Sequence, residues 1–172
     1  MTAPGAHALR ELVLSVVVVA ASEAEATSCA TSTTSYVSLS PPILAIALRP
    51  DSKTAQMVLR TGQFSVSVLT AAQAELARRA GRPAAAADKM AELGITPEWP
   101  AEPGPPGAAG SAAVLWCTVT STVTAGDSLV IFGQVTSFRG AIGDDPLLIR
   151  HQRRFLATGS AVTPDEPEGY PI

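Results

Sequence analysis

Residues Arg49–Thr54 read Arg-Pro-Asp-Ser-Lys-Thr and stand directly behind an apolar run. If a helix starts there, its first backbone amides have no partner inside the helix, and its dipole favours negative charge. Lys53 would add a positive charge, Ser52 and Thr54 hydroxyl donors, and Arg49 a guanidinium just upstream. Such a corner can hold a phosphate; the same residues also make an ordinary helix cap, a role Asp-Ser fills unaided. A second polar run, Thr27–Ser38, is Thr-Ser-Cys-Ala-Thr-Ser-Thr-Thr-Ser-Tyr-Val-Ser. It suits a solvated loop or edge strand, and equally a wall of hydroxyls and amides facing a polyhydroxylated ligand. Further on, His151 stands among Arg150, Arg153 and Arg154, a group that grips phosphate or carboxylate or else forms a solvated basic face. No nucleophile–base pair stands out. Neither Gly-x-Gly-x-x-Gly nor Gly-x-x-x-x-Gly-Lys-Ser/Thr occurs, so no Rossmann or Walker site is expected.

The totals narrow the classes further. A chain of 172 residues, 47% hydrophobic and 16% charged, suits one domain able to bury its own core. A net charge of −3 and a pI near 5.3 argue against broad capture of nucleic acid or an anionic membrane. Aromatics make up 5%, too few for the stacking platforms of a single-strand binder. The two cysteines, Cys29 and Cys117, and the two histidines, His7 and His151, match no zinc spacing. Reduced thiols in a cytoplasmic protein are expected rather than a disulfide. Ala8–Ala26 has the outline of a secretory signal, with a basic residue, an apolar stretch and Ala-x-Ala. Its apolar part is β-branched valine, Glu11, Glu23 and Glu25 flank it, and it falls short of the roughly 20 residues a membrane span needs, so a buried strand is expected.

The elements that would position these residues follow from periodicity. Beyond about six loose residues, a short helix is expected at 6–12 and a strand at 13–21. The unbroken apolar run 43–48 predicts a strand covered on both faces, and alternation in 63–69 predicts a half-buried one. Between them a helix at 54–61 stops at Gly62. Thr70 and Gln73 have capping-box spacing, Arg78 and Arg79 occupy the last turn, and Gly81 ends that helix. Residues 81–112 form an Ala/Pro/Gly-rich excursion with one small helix near 88–93 and no core of its own. Strands are expected at 113–124 and 128–138 around a Gly126-Asp127 turn, then at 147–150 and 155–161, ahead of a Pro-rich tail at 162–172. Many strands and few short helices point to a closed or nearly closed barrel.

In this order, residues 31–54, 62–79, 115–138 and 146–155 resemble the flavin reductase family with the FMN-binding split-barrel fold, the small reductase components of two-component flavin monooxygenases. The resemblance implies a mainly β, Greek-key split barrel with a few short helices. It implies FAD or FMN as flavin, NADH or NADPH as hydride donor, a homodimer and a partner monooxygenase. By position, Ala30, Thr31, Ser32 and Thr33 would contact the ribityl chain or ring edge, and backbone groups of Ala47, Leu48 and Arg49 would face the ring. Ser52, Lys53 and Thr54 would hold the phosphate, Arg79 would reach the phosphate or adenine side, and His151 would border the nicotinamide pocket. No side chain is implied as an essential acid or base. The pattern also departs from the family. The usual Gly-x-Pro-x-Gly-Met-Thr is replaced around Ser22–Ser32, and a usual Tyr is Arg150, changes that suit altered nucleotide use or lost reductase activity. The alternatives are a flavin carrier or sensor without turnover, or a barrel repurposed for another small molecule.

Overall fold

The computed structural model describes Gly5, residues 7–140 and residues 144–159. In chain order its strands are β1 (Leu14–Ser15), β2 (Val17–Glu23), β3 (Ala26–Ser32), β4 (Thr34–Leu39), β5 (Pro42–Leu48), β6 (Gln63–Val68), β7 (Pro97–Glu98), β8 (Gly107–Ala108), β9 (Ala113–Ala125), β10 (Ser128–Gly140), β11 (Leu148–His151) and β12 (Arg154–Ala157). The α-helices are α1 (Lys53–Thr61), α2 (Ala74–Ala80) and α3 (Lys89–Glu92), with 3-10 turns at Ala8–Glu11 and Ala71–Gln73. The tail expected at 162–172 lies outside the described residues. Among the described residues no helix is long and apolar enough to cross a membrane.

Seven strands form one antiparallel sheet in the order β3-β2-β6-β9-β10-β5-β4. Its two outermost strands, β3 and β4, are separated in the chain by Thr33 alone. The edges must therefore meet, and the sheet rolls into a barrel. A second sheet, β1-β11-β12, abuts the seam, where the Ser15 hydroxyl donates to the Thr34 carbonyl at 2.9 Å. The strand expected at 13–21 is accordingly broken at Val16. Its N–H bonds to Leu148 O at 3.2 Å, so the segment before it pairs with β11 and the segment after it with β3 and β6. This is a split barrel, mainly β.

Burial explains the strands' composition. Val17, Val19, Phe64, Val66, Ile46 and Ile131 fill the barrel, and Ala55, Met57 and Val58 of α1 pack into the same cluster. Side chains of this size contribute about 1.5–3 kcal/mol each when fully buried. The opposite face of β2 carries Val18 and Ala20, which with Val16 just ahead of the strand pack against α2, α3 and Leu148. This double burial is why the valine run has no polar alternation.

Two burial expectations are reversed. In β5, Leu44, Ile46 and Leu48 are buried, whereas Ala47 is exposed, so this strand is half-buried despite its unbroken apolar sequence. In β6, Ser65 and Ser67 are fully buried, because the excursion crosses over them. Ser65 donates to Pro106 O at 2.7 Å, and Ser67 Oγ accepts from Ala108 N at 2.9 Å. Small polar residues read as solvent-facing thus serve as buried anchors for the excursion. Met90, Ile95 and Ala108 from the excursion complete the outer core.

Candidate functional site

The corner between β5 and α1 is built locally. Ser52, with extended backbone, caps α1: its Oγ accepts from Ala55 N at 3.2 Å and donates to Arg49 O at 2.8 Å. The amides of Lys53 and Thr54 thus open the helix with no intrahelical acceptor ahead of them. Gly62 closes α1 at φ 69°, a left-handed C-cap that costs glycine little. Beneath the helix start, buried Thr54 Oγ1 lies 2.9 Å from Ser28 Oγ of β3, pinning the corner to the barrel.

A cleft of about 470 Å³ opens at this corner, between β3, the end of β5, the start of α1 and the Ala80–Ala84 segment. Eight of the residues expected from the sequence line it: Ala30, Thr31, Ala47, Leu48, Arg49, Ser52, Lys53 and Thr54. Small residues (Ala30, Ala47, Ala80, Gly81 and Ala84) leave its walls open, while Lys53, Lys89, Arg82 and Arg49 make it cationic in a chain of net charge −3. Asp51 is the lining carboxylate; the Arg49 guanidinium, 2.6 Å away, holds its carboxyl below the usual range, and both groups are exposed. Lys53 Nζ donates to Ala84 O and Ala85 O at 3.1 and 3.5 Å.

Lys89 and Arg82 are cationic lining residues that sequence reading missed, and Lys89 is the one tied into the wall. Its Nζ donates to Cys29 O at 2.6 Å and Ala80 O at 3.0 Å, and burial pulls its ammonium below the usual lysine range. The available signal was Asp88, which caps α3 by accepting from Ala91 N at 3.0 Å, but nothing in the sequence said which way that short helix faces.

The remaining expected residues are placed differently. Ser32 and Thr33 line a smaller cavity of about 190 Å³ with Val16, Arg150 and Phe155; Thr31 and Ala47 belong to both cavities. The Ser32 hydroxyl reaches Ala47 O at 2.8 Å, and the Thr31 hydroxyl donates to Ala77 O. The hydroxyl-rich run is therefore strand whose side chains largely bond to protein. Arg79 turns away from the cleft: Nη1 donates to Leu93 O at 2.6 Å, and buried Nε has no hydrogen-bond partner among the described residues. His151 lines neither cavity, its Nε2 lying 3.8 Å from Glu11; its neighbour Arg150 takes the place at the smaller cavity. Cys29 and Cys117 are free and buried, burial pushing their thiols up to about 11 and about 12.

An open-walled cationic cleft beside a capped helix suits a ligand with a flat body and an anionic end, and the split barrel around it is the architecture of flavin-reductase-like proteins. The chain belongs to that family: the flavin reductase like domain matches residues 9–159. It is 36% identical over 115 residues to the reductase subunit of a flavin-dependent monooxygenase, HsaB, of Mycobacterium tuberculosis, a match covering 65% of this chain and 58% of the relative. This chain therefore spans little more than half of that relative's length. The NADH:FAD oxidoreductase SgcE6 of Streptomyces globisporus has the same fold, with a TM-score of 0.83 at 23% identity over 93% of this chain and 98% of its own. A second structure of that oxidoreductase, in complex with NAD and FAD fragments, gives a TM-score of 0.82 at 23% identity over 91% and 92% of the two chains.

Proposed function

We propose that the chain is an NAD(P)H-dependent flavin reductase that binds FAD or FMN in the 470 Å³ cleft and supplies reduced flavin to a partner monooxygenase. The convergence of eight expected residues on one cationic cleft carries this reading. In it the pyridine nucleotide supplies a hydride that the flavin accepts; the protein's share is alignment and electrostatics. Lys53 and the first amides of α1 hold the phosphate at one end. Ala30 and Ala47 present a flat wall to the ring system, and Leu48 walls off water from the barrel side. Lys89, half-buried and tied to two carbonyls, fixes the far wall and adds positive charge where the ligand is anionic. No residue of the cleft need move a proton.

The same reading makes the protein a cytoplasmic homodimer. Buried free thiols suit a reducing compartment, and the exposed apolar surface of Tyr36, Val37, Leu39 and Phe138 is what a second copy would cover. The test is anaerobic: purified protein is mixed with NADH or NADPH and FAD or FMN, and absorbance at 340 nm is followed. Fast oxidation of the nucleotide supports a reductase. Flavin binding without turnover would assign a carrier, and absence of flavin affinity would overturn the proposal.

A further inference from the structure

Beyond the smaller cavity lies a third, of about 270 Å³, lined by Arg10, Arg150, Gln152 and Arg153 together with Leu9, Leu12 and Leu14. Three arginines thus line one space, and among the described residues no carboxylate lines it. Among the described residues none of the three forms a salt bridge within 4.0 Å of a carboxylate. Glu11, beside Arg10 in the chain, is held by Gln152 Nε2 at 3.1 and 3.3 Å and lies 3.8 Å from His151 Nε2.

The fold assembles this cluster from two distant segments. Gln152 N donates to Arg10 O at 3.0 Å, fastening the N-terminal 3-10 turn onto the β11–β12 hairpin and bringing Arg10 to Arg150 and Arg153. Gln152 and Arg153, at φ 48° and 66°, form the tip of that hairpin. Both are left-handed, where glycine or asparagine is favoured, so Arg153 is held there against a backbone preference.

We propose that Arg10, Arg150 and Arg153 form a phosphoryl site that receives the 2′-phosphate of NADPH and makes the protein selective for NADPH over NADH. The proposal rests on the flavin-reductase reading of the neighbouring cleft. A phosphomonoester dianion offers the acceptors that guanidinium forks bind in bidentate fashion and relieves their mutual repulsion. The three lining leucines offer apolar contact to an adenine beside them. Continuity sets the choice of ligand: Arg150 lines both this cavity and the smaller one, and the smaller one shares Thr31 and Ala47 with the flavin cleft. A dinucleotide with its nicotinamide in the middle cavity has its adenosine end directed to the arginines.

The test begins with the protein free of flavin. Adenosine 2′,5′-bisphosphate and 5′-AMP are titrated calorimetrically into the wild type, Arg10→Gln, Arg153→Gln and, as a distant surface control, Arg78→Gln. The expected result is at least tenfold tighter binding of the bisphosphate, weakening with salt. That advantage falls about tenfold in Arg10→Gln and Arg153→Gln and persists in Arg78→Gln. In turnover, KM for NADPH rises by the same factor while KM for NADH stays within twofold. Equal binding of the two nucleotides by the wild type, an unchanged preference in the variants, or equal effects on NADH and NADPH would each overturn the assignment. If Arg153→Gln melts early, Arg153→Gly removes the charge while suiting the left-handed backbone. A wild type that shows no 2′-phosphate preference yet reduces flavin normally refutes this site alone. Selective bisphosphate binding without flavin reduction refutes the proposed function and leaves the site standing.

Discussion

Lys53→Ala isolates the interaction on which the cleft's reading turns. Lys53 is exposed, and its ammonium donates to two carbonyls of the excursion, Ala84 and Ala85, at 3.1 and 3.5 Å. A charged hydrogen bond to a flavin phosphate is worth roughly 1.5–3 kcal/mol. Releasing the two carbonyl contacts, one of them long, offsets about 0.5–1 kcal/mol of that, and solvent screening removes a little more. A net of about 1–2 kcal/mol remains, so the FMN Kd should rise roughly 5- to 30-fold. Riboflavin, which lacks the phosphate, should bind the variant nearly as it binds the wild type. The assay is flavin fluorescence titration with both ligands, at low salt and at about 0.5 M salt, where screening should shrink the difference. Lys53→Arg should keep most of the FMN preference, because the charge remains. If the ratio of FMN to riboflavin affinity is the same in wild type and Lys53→Ala, the phosphate does not lie at the start of α1 and the placement of the flavin is wrong.

Three further outcomes test the scaffold. Ser28 and Thr54 share a buried hydrogen bond of 2.9 Å, so Ser28→Ala or Thr54→Val alone should cost about 1–3 kcal/mol by stranding the other hydroxyl. The double variant should cost less than the sum of the two, as read by urea unfolding; strict additivity would show the pair uncoupled. Gly133 of β10 has no room for a side chain: a Cβ would lie 2.3 Å from Phe64 Cζ and 3.0 Å from Cys117 Cβ. Gly133→Ala should therefore destabilise by about 1–3 kcal/mol through overpacking, and an unchanged Tm would mean that the fully buried Phe64 ring moves freely. Cys29 and Cys117 should react with a thiol reagent at pH 8 only after unfolding, since burial raises both thiols, to about 11 and about 12. A raised thiol keeps its proton in the folded state while the unfolded chain loses it near 9, the ordinary thiol value. Stability from these groups is therefore intact below pH 9 and falls as pH climbs toward 11–12. A Tm that held constant over that range in the wild type, relative to a Cys29→Ala/Cys117→Ala variant, would contradict the burial.

Local rules determined most of the elements. Ser52 and Gly62 bound α1, Thr70 and Gln73 make the capping box at the start of the second helical segment, and Gly126 at φ 62° turns the β9–β10 hairpin. Each depends on neighbours a few residues away, so residue type and spacing suffice. The order of motifs was also enough to indicate the family and its barrel. What the sequence could not determine was which face of a strand a distant segment would cover. Ser65 and Ser67 alternate with apolar residues, yet Pro106 and Ala108 lie over them, while the apolar run of β5 leaves Ala47 exposed.

The candidate site divides along the same line. Its contiguous part, Arg49–Thr54, was legible because one helix start gathers donors, charge and hydroxyls within six residues. Lys89 enters the cleft from the excursion, and Arg10 joins Arg150 and Arg153 from the far end of the chain, across contacts between segments far apart in sequence. Arg79 and His151 occupied family positions in the sequence but point at Leu93 and Glu11 in the fold. Side-chain direction at a strand end or in a last helical turn is decided by which partner packs there, and only the tertiary structure supplies that partner.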